Sequence, residues 1–119
     1  MNAQDIQEIA QKSCICADET YKKLEVADKN APQYTLLMLE NEREADKMVK
    51  KLNKDEQKKL LDLIQTDYSS ILAEMNNCLK NLTGGKLNDN QKKELLETLS
   101  KETGSCKLAY LIFKKAWKK

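Results

Sequence analysis

Histidine is absent from this chain of 119 residues. Without imidazole there is no Ser-His or Cys-His nucleophile pair, no histidine general base and no histidine-containing zinc site. Glycine is scarce, with three residues in all, and none forms a Gly-rich phosphate loop. A Glu-x-x-His di-metal motif is missing too. Leu, Ile, Val and Phe together supply only 26 of the 119 residues, close to the level at which a chain struggles to offset its conformational entropy by burial. The core is therefore expected to be thin, and cross-links valuable. No apolar run is long enough to span a bilayer. Charge of one sign is lacking as well: 21 basic against 19 acidic side chains leave a formal net charge of +2, which gives no overall electrostatic reason to expect nucleic acid or an anionic membrane as partner.

What the chain does have is four cysteines, Cys14, Cys16, Cys78 and Cys106. A zinc site of four cysteines usually supplies two C-x2-4-C knuckles, whereas here two close cysteines precede two distant singles. Thioredoxin-type chemistry wants C-x-x-C beside a βαβ unit, and neither is present. An even cysteine count in a short, core-poor chain points instead to two disulfides in an oxidising compartment. Met1 runs straight into the polar Asn2-Ala3-Gln4-Asp5, so a periplasmic or secreted protein is expected to be represented by its mature portion with a start Met added. The rival reading is a cytoplasmic protein with reduced thiols.

Period and punctuation both predict an all-α fold, a single domain over 1–119 with almost no strand signal. Helices are expected at about 3–29, 32–52, 54–82, 88–102 and 105–118, with short links that make sequential neighbours antiparallel in an up-down bundle or a close variant. Asn2 is placed to cap the first helix, and Pro32 suits the first turn of the second. Asn53 with Glu56, and Asn88 with Gln91, resemble capping boxes. Thr83-Gly84-Gly85 reads as a helix stop, and Gly104-Ser105 as a stop followed by a fresh cap.

Apolar residues at 100° per position mark the faces to be buried. Helix one gathers Ile6, Ile9, Ala10, Ala17, Tyr21 and Leu24. Helix two offers Tyr34, Leu37, Met38, Ala45, Met48, Val49 and Leu52. Helix three offers Leu60, Leu61, Ile64, Tyr68, Ile71, Leu72, Met75, Leu79 and Leu82. Leu95, Leu96 and Leu99 make helix four a thinner, peripheral element, and helix five turns Ala109, Tyr110, Phe113, Ala116 and Trp117 inward. Cys14 and Cys16 lie about 80° to either side of the helix-one stripe, because two helical residues are about 200° apart. The simplest expectation is that helix one is stapled to helices three and five. Height opposes it: in an upright bundle Cys106 lies roughly 20 Å from the end of the bundle near Cys78. Both staples then require helix four to lie obliquely, or helix one to be kinked or displaced. Otherwise one bond forms, or Cys78 pairs with Cys106.

Catalysis has little support. Asp18, Glu19, Glu40, Glu42, Glu44 and Asp46 form the solvated faces and weak i,i+4 pairs of charged helices, so no enzyme and no cofactor are expected. Apolar residues off the core stripes suggest a partner-binding surface: Ile15 and Val26 on helix one, Leu36 and Leu39 on helix two, and Leu108, Leu111 and Ile112 on helix five. The alternative is that the last three are covered by helix four or by an imperfect bundle. Lys114, Lys115 and Trp117 extend the candidate surface into a basic C-terminus with Lys107, Lys118 and Lys119. These lysines favour the helix macrodipole and also offer contact with an acidic protein or an anionic membrane surface. Asn81-Leu82-Thr83 is formally a glycosylation sequon.

The general type resembles small extracytoplasmic binding proteins, including inhibitors that protect a cell from a toxic enzyme, as an analogy of architecture. The sequence is thus expected to encode a non-enzymatic protein-binding domain with an inhibitor, immunity or adaptor role. The alternative is a carrier of a small apolar ligand between helices, lined by Met38, Met48, Met75, Tyr68 and Phe113. Third comes a cytosolic metal-binding protein using all four cysteines.

Overall fold

The structure, a computed structural model, describes residues 3–83 and 87–117, and side chains from residue 6 onward. The described residues form seven α-helices and one 3-10 turn: α1 (Ala3–Ala27), α2 (Ala31–Glu40), α3 (Glu42–Lys51), α4 (Lys54–Gln65), α5 (Tyr68–Thr83), α6 (Asp89–Ser100), a turn over Gly104–Cys106, and α7 (Lys107–Ala116). No strand occurs among them. The fold is all-α, as the periodicity predicts, with more and shorter helices than the five expected.

Two expected helices are broken in mid-course. The segment 32–52 divides at Asn41, whose backbone is extended (φ −162°) and whose side-chain Oδ1 caps α3 by accepting the Arg43 N–H at 3.0 Å, while its own backbone N–H bonds the Leu37 carbonyl at 2.6 Å. An Asn side chain offers the backbone a local alternative to continuing the helix, and Glu42 and Glu44 in the first turn of α3 favour a fresh N-terminus there. The segment 54–82 divides at Thr66 and Asp67. The Thr66 hydroxyl donates back to the Asp62 carbonyl at 2.7 Å as the chain turns out of α4.

Most other boundaries follow the expected chemistry; at the start of α7, however, Ser105 does not cap the helix but lies in the preceding turn and donates its hydroxyl to Asp18. α1 stops before Pro32, whose ring would clash with the Asp28 carbonyl if the helix continued. Asp28 accepts the Asn30 N–H at 2.8 Å and so closes the link into α2. Asn53 caps α4 through the Glu56 N–H at 2.8 Å. Asn88 and Gln91 form a reciprocal capping box at 2.8 and 2.9 Å. Gly104 has φ +66°, a left-handed conformation that suits glycine. The expected cap at Asn2 and the glycines of the Thr83-Gly84-Gly85 stop lie outside the described residues.

The molecule extends 50 Å along its long axis and 22 Å across. α1, with 25 residues, is about 37 Å long and packs along α5, so these two helices run through both ends. Two apolar clusters divide the interior. The larger unites Ile6, Ile9, Ala10, Cys16 and Ala17 of α1 with Met75 and Leu79 of α5, Leu95 and Leu99 of α6, and Leu108, Ala109 and Phe113 of α7. The smaller consists of Leu24, Ala31, Leu60 and Leu63, with Tyr34, Val49, Leu52, Ile64, Tyr68 and Ile71 packed around it. Leu61, expected inside, is 46% exposed, and Leu63 is buried in its place.

Both staples form: Cys14 pairs with Cys106 and Cys16 with Cys78, with Cα atoms 4.6 and 6.1 Å apart. The height difficulty assumed that the fourth predicted helix stands beside the third. Instead α6 packs chiefly on α1 and α7, and its Leu95 and Leu99 are fully buried. It is therefore a core element and not a peripheral one, and it delivers Cys106 to α1 directly. Seating α7 among α1, α2 and α6 covers more than one of its faces.

Candidate functional site

That seating corrects the expected partner surface. Leu108 is 0% and Leu111 5% exposed, because neighbouring helices cover α7 on the side that the wheel left open. They belong to the core. Ile15 and Val26 are exposed, at 59% and 88%, but they stand apart. Ile15 borders a pocket with Cys14 and Glu102, while Val26 borders another with Lys22, Lys23 and Glu74. Lys114 reaches over the Tyr110 ring, 5.6 Å from its centroid. The remaining three candidates, Ile112, Lys115 and Trp117, do come together on one open groove of about 640 Å³.

Three helices distant in sequence build this groove. α2 contributes Leu39, α5 contributes Leu72, Asn76, Asn77, Leu79, Lys80 and Thr83, and α7 contributes Ile112, Phe113, Lys115 and Ala116, with Trp117 following. Leu39, Leu72, Ile112 and Trp117 pack against the larger core cluster and leave part of their surface open. The floor is thus continuous with the interior. Phe113 and Trp117, one turn apart, stack with centroids 4.6 Å apart and planes at 17°. Lys92 of α6 places its ammonium 5.6 Å from the centroid of the Trp117 ring. The indole is therefore held between a ring and a cation, in a contact worth roughly 0.5–1 kcal/mol when exposed.

Lys80 and Lys115 are the only charged residues lining the groove among those described, and no carboxylate joins them. The acids within two positions of the lining residues are engaged elsewhere: Glu40 pairs with Lys107 at 3.3 Å, and Glu74 with Lys23 at 2.6 Å. An apolar floor with a cationic rim and two amide side chains can receive an apolar segment that carries negative charge. Sequence reasoning missed Leu72, Asn76, Asn77 and Lys80 as groove residues. It flags Leu39, as an apolar residue off the stripe of the second predicted helix, and the structure places it on the groove.

The residues expected to line an internal ligand cavity do not converge. Met75 is packed in the larger cluster, Tyr68 beside the smaller one, and Met48 borders a surface pocket with Leu37 and Leu52. Only Phe113 of that set reaches the groove. Tyr68 is spoken for by other contacts: its hydroxyl lies 2.7 Å from Thr35 Oγ1, and its ring meets Tyr34 edge-on at 6.1 Å. Burial pushes the Tyr68 hydroxyl above the usual tyrosine range, and burial with the Asp46 and Glu42 charges does the same for Tyr34. A metal centre of four cysteines is likewise not assembled, since the sulfurs divide into two pairs that bind α1 to two different elements. The described residues bring one ligand-rich cluster together: Cys14, Glu102 and Cys106.

No helix of the described residues is long and apolar enough to cross a membrane. In comparisons with known proteins, no family model, no curated protein and no solved structure matches the chain.

Proposed function

We propose that this chain is a non-enzymatic protein-binding domain of an extracytoplasmic compartment, an inhibitor, immunity or adaptor protein, and that its groove receives an acidic amphipathic helix of the partner. The observation that carries the reading is the groove itself, with leucines and stacked aromatic rings on the floor, Lys80 and Lys115 on the rim and no lining carboxylate. An amphipathic helix lays its apolar face into such a groove. Acidic flanks complement the two lysines and speed encounter. The two staples support an oxidising compartment, and they fix two of the groove's three helices, because Cys78 lies on α5 and Cys106 immediately precedes α7.

Trp117 is the only tryptophan of the chain and lies on the groove, so its fluorescence reports occupancy directly. The test titrates the protein with an amphipathic helical peptide bearing Glu flanks and with a matched peptide bearing Lys flanks. The acidic peptide should give a saturable change that weakens with salt. Exchanging both rim lysines in Lys80→Glu/Lys115→Glu should cost about tenfold or more in affinity, by placing like charges together. Equal responses to both peptides, or a response to a fatty acid and to neither peptide, contradict the reading; the fatty-acid outcome returns the carrier alternative.

A further inference from the structure

We infer that the Cys14–Cys106 staple, when reduced, becomes with Glu102 a binding site for a thiophilic divalent cation such as zinc. The two sulfurs and a Glu102 carboxylate oxygen all lie within 4.8 Å of one another, and two thiolates with one carboxylate oxygen suit zinc, whose fourth position is then open to water. The other staple, Cys16–Cys78, has no such third ligand among the described residues. An open pocket of about 520 Å³ has both Cys14 and Glu102 on its wall. Reductant and cation thus have a path to the site.

The ligands are held in place by contacts that do not depend on the disulfide. Glu102 and Cys106 flank the left-handed Gly104, which turns the chain back on itself between them. Ser105 donates its hydroxyl to Asp18 at 3.2 Å, one helical turn beyond Cys14, and this ties the turn to α1. Behind Cys106, the fully buried Leu108 and Ala109 anchor the start of α7 in the core. Reduction therefore separates the sulfurs without dispersing them. In the reduction, two external thiols deliver two electrons and two protons, giving Cys14–SH, Cys106–SH and one external disulfide. Zinc then displaces the two thiol protons into solvent and binds both thiolates and the Glu102 carboxylate. A covalent bond or a cation closes the same loop, whose ends are 92 residues apart, so the fold has a substitute tie where thiols stay reduced.

The test uses cobalt(II) as an optical probe on the full chain, reduced anaerobically by a phosphine, with helical circular dichroism followed throughout. The expected result is one cobalt per chain, with a thiolate-to-metal charge-transfer band and the strong visible bands of tetrahedral cobalt, while helicity is retained or restored. The Cys16→Ser/Cys78→Ser variant should keep the site, and Cys14→Ser/Cys106→Ser should abolish it. Glu102→Gln should weaken binding by about tenfold or more. The inference is overturned by the absence of the charge-transfer band in reduced protein, by its survival in Cys14→Ser/Cys106→Ser, by unchanged affinity in Glu102→Gln, or by a band that appears only as helicity is lost.

Discussion

At one end of the molecule Cys14, Cys16, Cys78 and Cys106 lie in or against a cluster that draws on α1, α5, α6 and α7; at the other, Leu24, Ala31, Leu60 and Leu63 are the fully enclosed apolar residues, and no cysteine is near. The first end must hold α7, which is reached only after most of the chain has been laid down, against the first helix. Cross-links of long sequence separation reduce the unfolded chain's freedom most in the loop-closure picture. The second end is assembled largely from neighbours in sequence, α2 through α4, and is secured by the Asn41 and Asn53 caps, the Thr35–Tyr68 hydrogen bond and the Asn30 and Lys29 contacts to Glu56, both 3.3 Å. The groove belongs to the stapled end. A binding surface held by cross-linked helices loses less freedom on association.

This contrast can be broken most forcefully at the staples. The Cys14→Ser/Cys106→Ser variant should lose about 3–5 kcal/mol of unfolding free energy in a denaturant titration without reductant. Next, Leu60→Ala removes a fully buried side chain from the smaller cluster and should cost about 3 kcal/mol. Its chemical shifts should change around α4 and the start of α5 while the α6 and α7 signals stay in place. Asn53→Ala should cost about 1 kcal/mol through the lost cap of α4, read from the shift in denaturation midpoint.

Alkaline pH should sharpen the contrast by acting on the same end. Tyr34 and Tyr68 hold their protons more tightly in the folded chain than in the unfolded one. The resulting contribution to stability is complete below the ordinary tyrosine range and is lost as pH rises through the folded values, above about pH 10. The smaller cluster should therefore loosen first, and Tyr68→Phe should flatten this pH dependence in a thermal-unfolding series.

Much of this organisation was legible in the sequence because it is local. The caps at Asn53 and Asn88 require only residues three positions apart, and the flanking positions of Cys14 and Cys16 follow from helical rotation alone. The break at Asn41 left a trace of the same kind, since Asn41 with Glu44 has the spacing of a capping box; the apolar stripe, absent from 40–44, resumes at Ala45 seven residues after Met38 and so on the same face, which masked it. The burial of Leu108 and Leu111 was readable only as an alternative, because it depends on α6 leaving α5 for α1 and α7. The groove is tertiary for the same reason: Leu39, Lys80 and Trp117 meet only after three separate helices have packed.

Native-state hydrogen exchange measures the difference between the two ends directly. Amides of α1 around Cys14–Ala17, of α5 around Met75–Leu79 and of α7 should exchange only through global unfolding, while those of α3 and α4 should exchange about tenfold or more faster through openings of the unstapled end. Reduction of both disulfides should erase most of that gap. Uniform protection along the chain, or α4 amides slower than those of α7, would contradict the account.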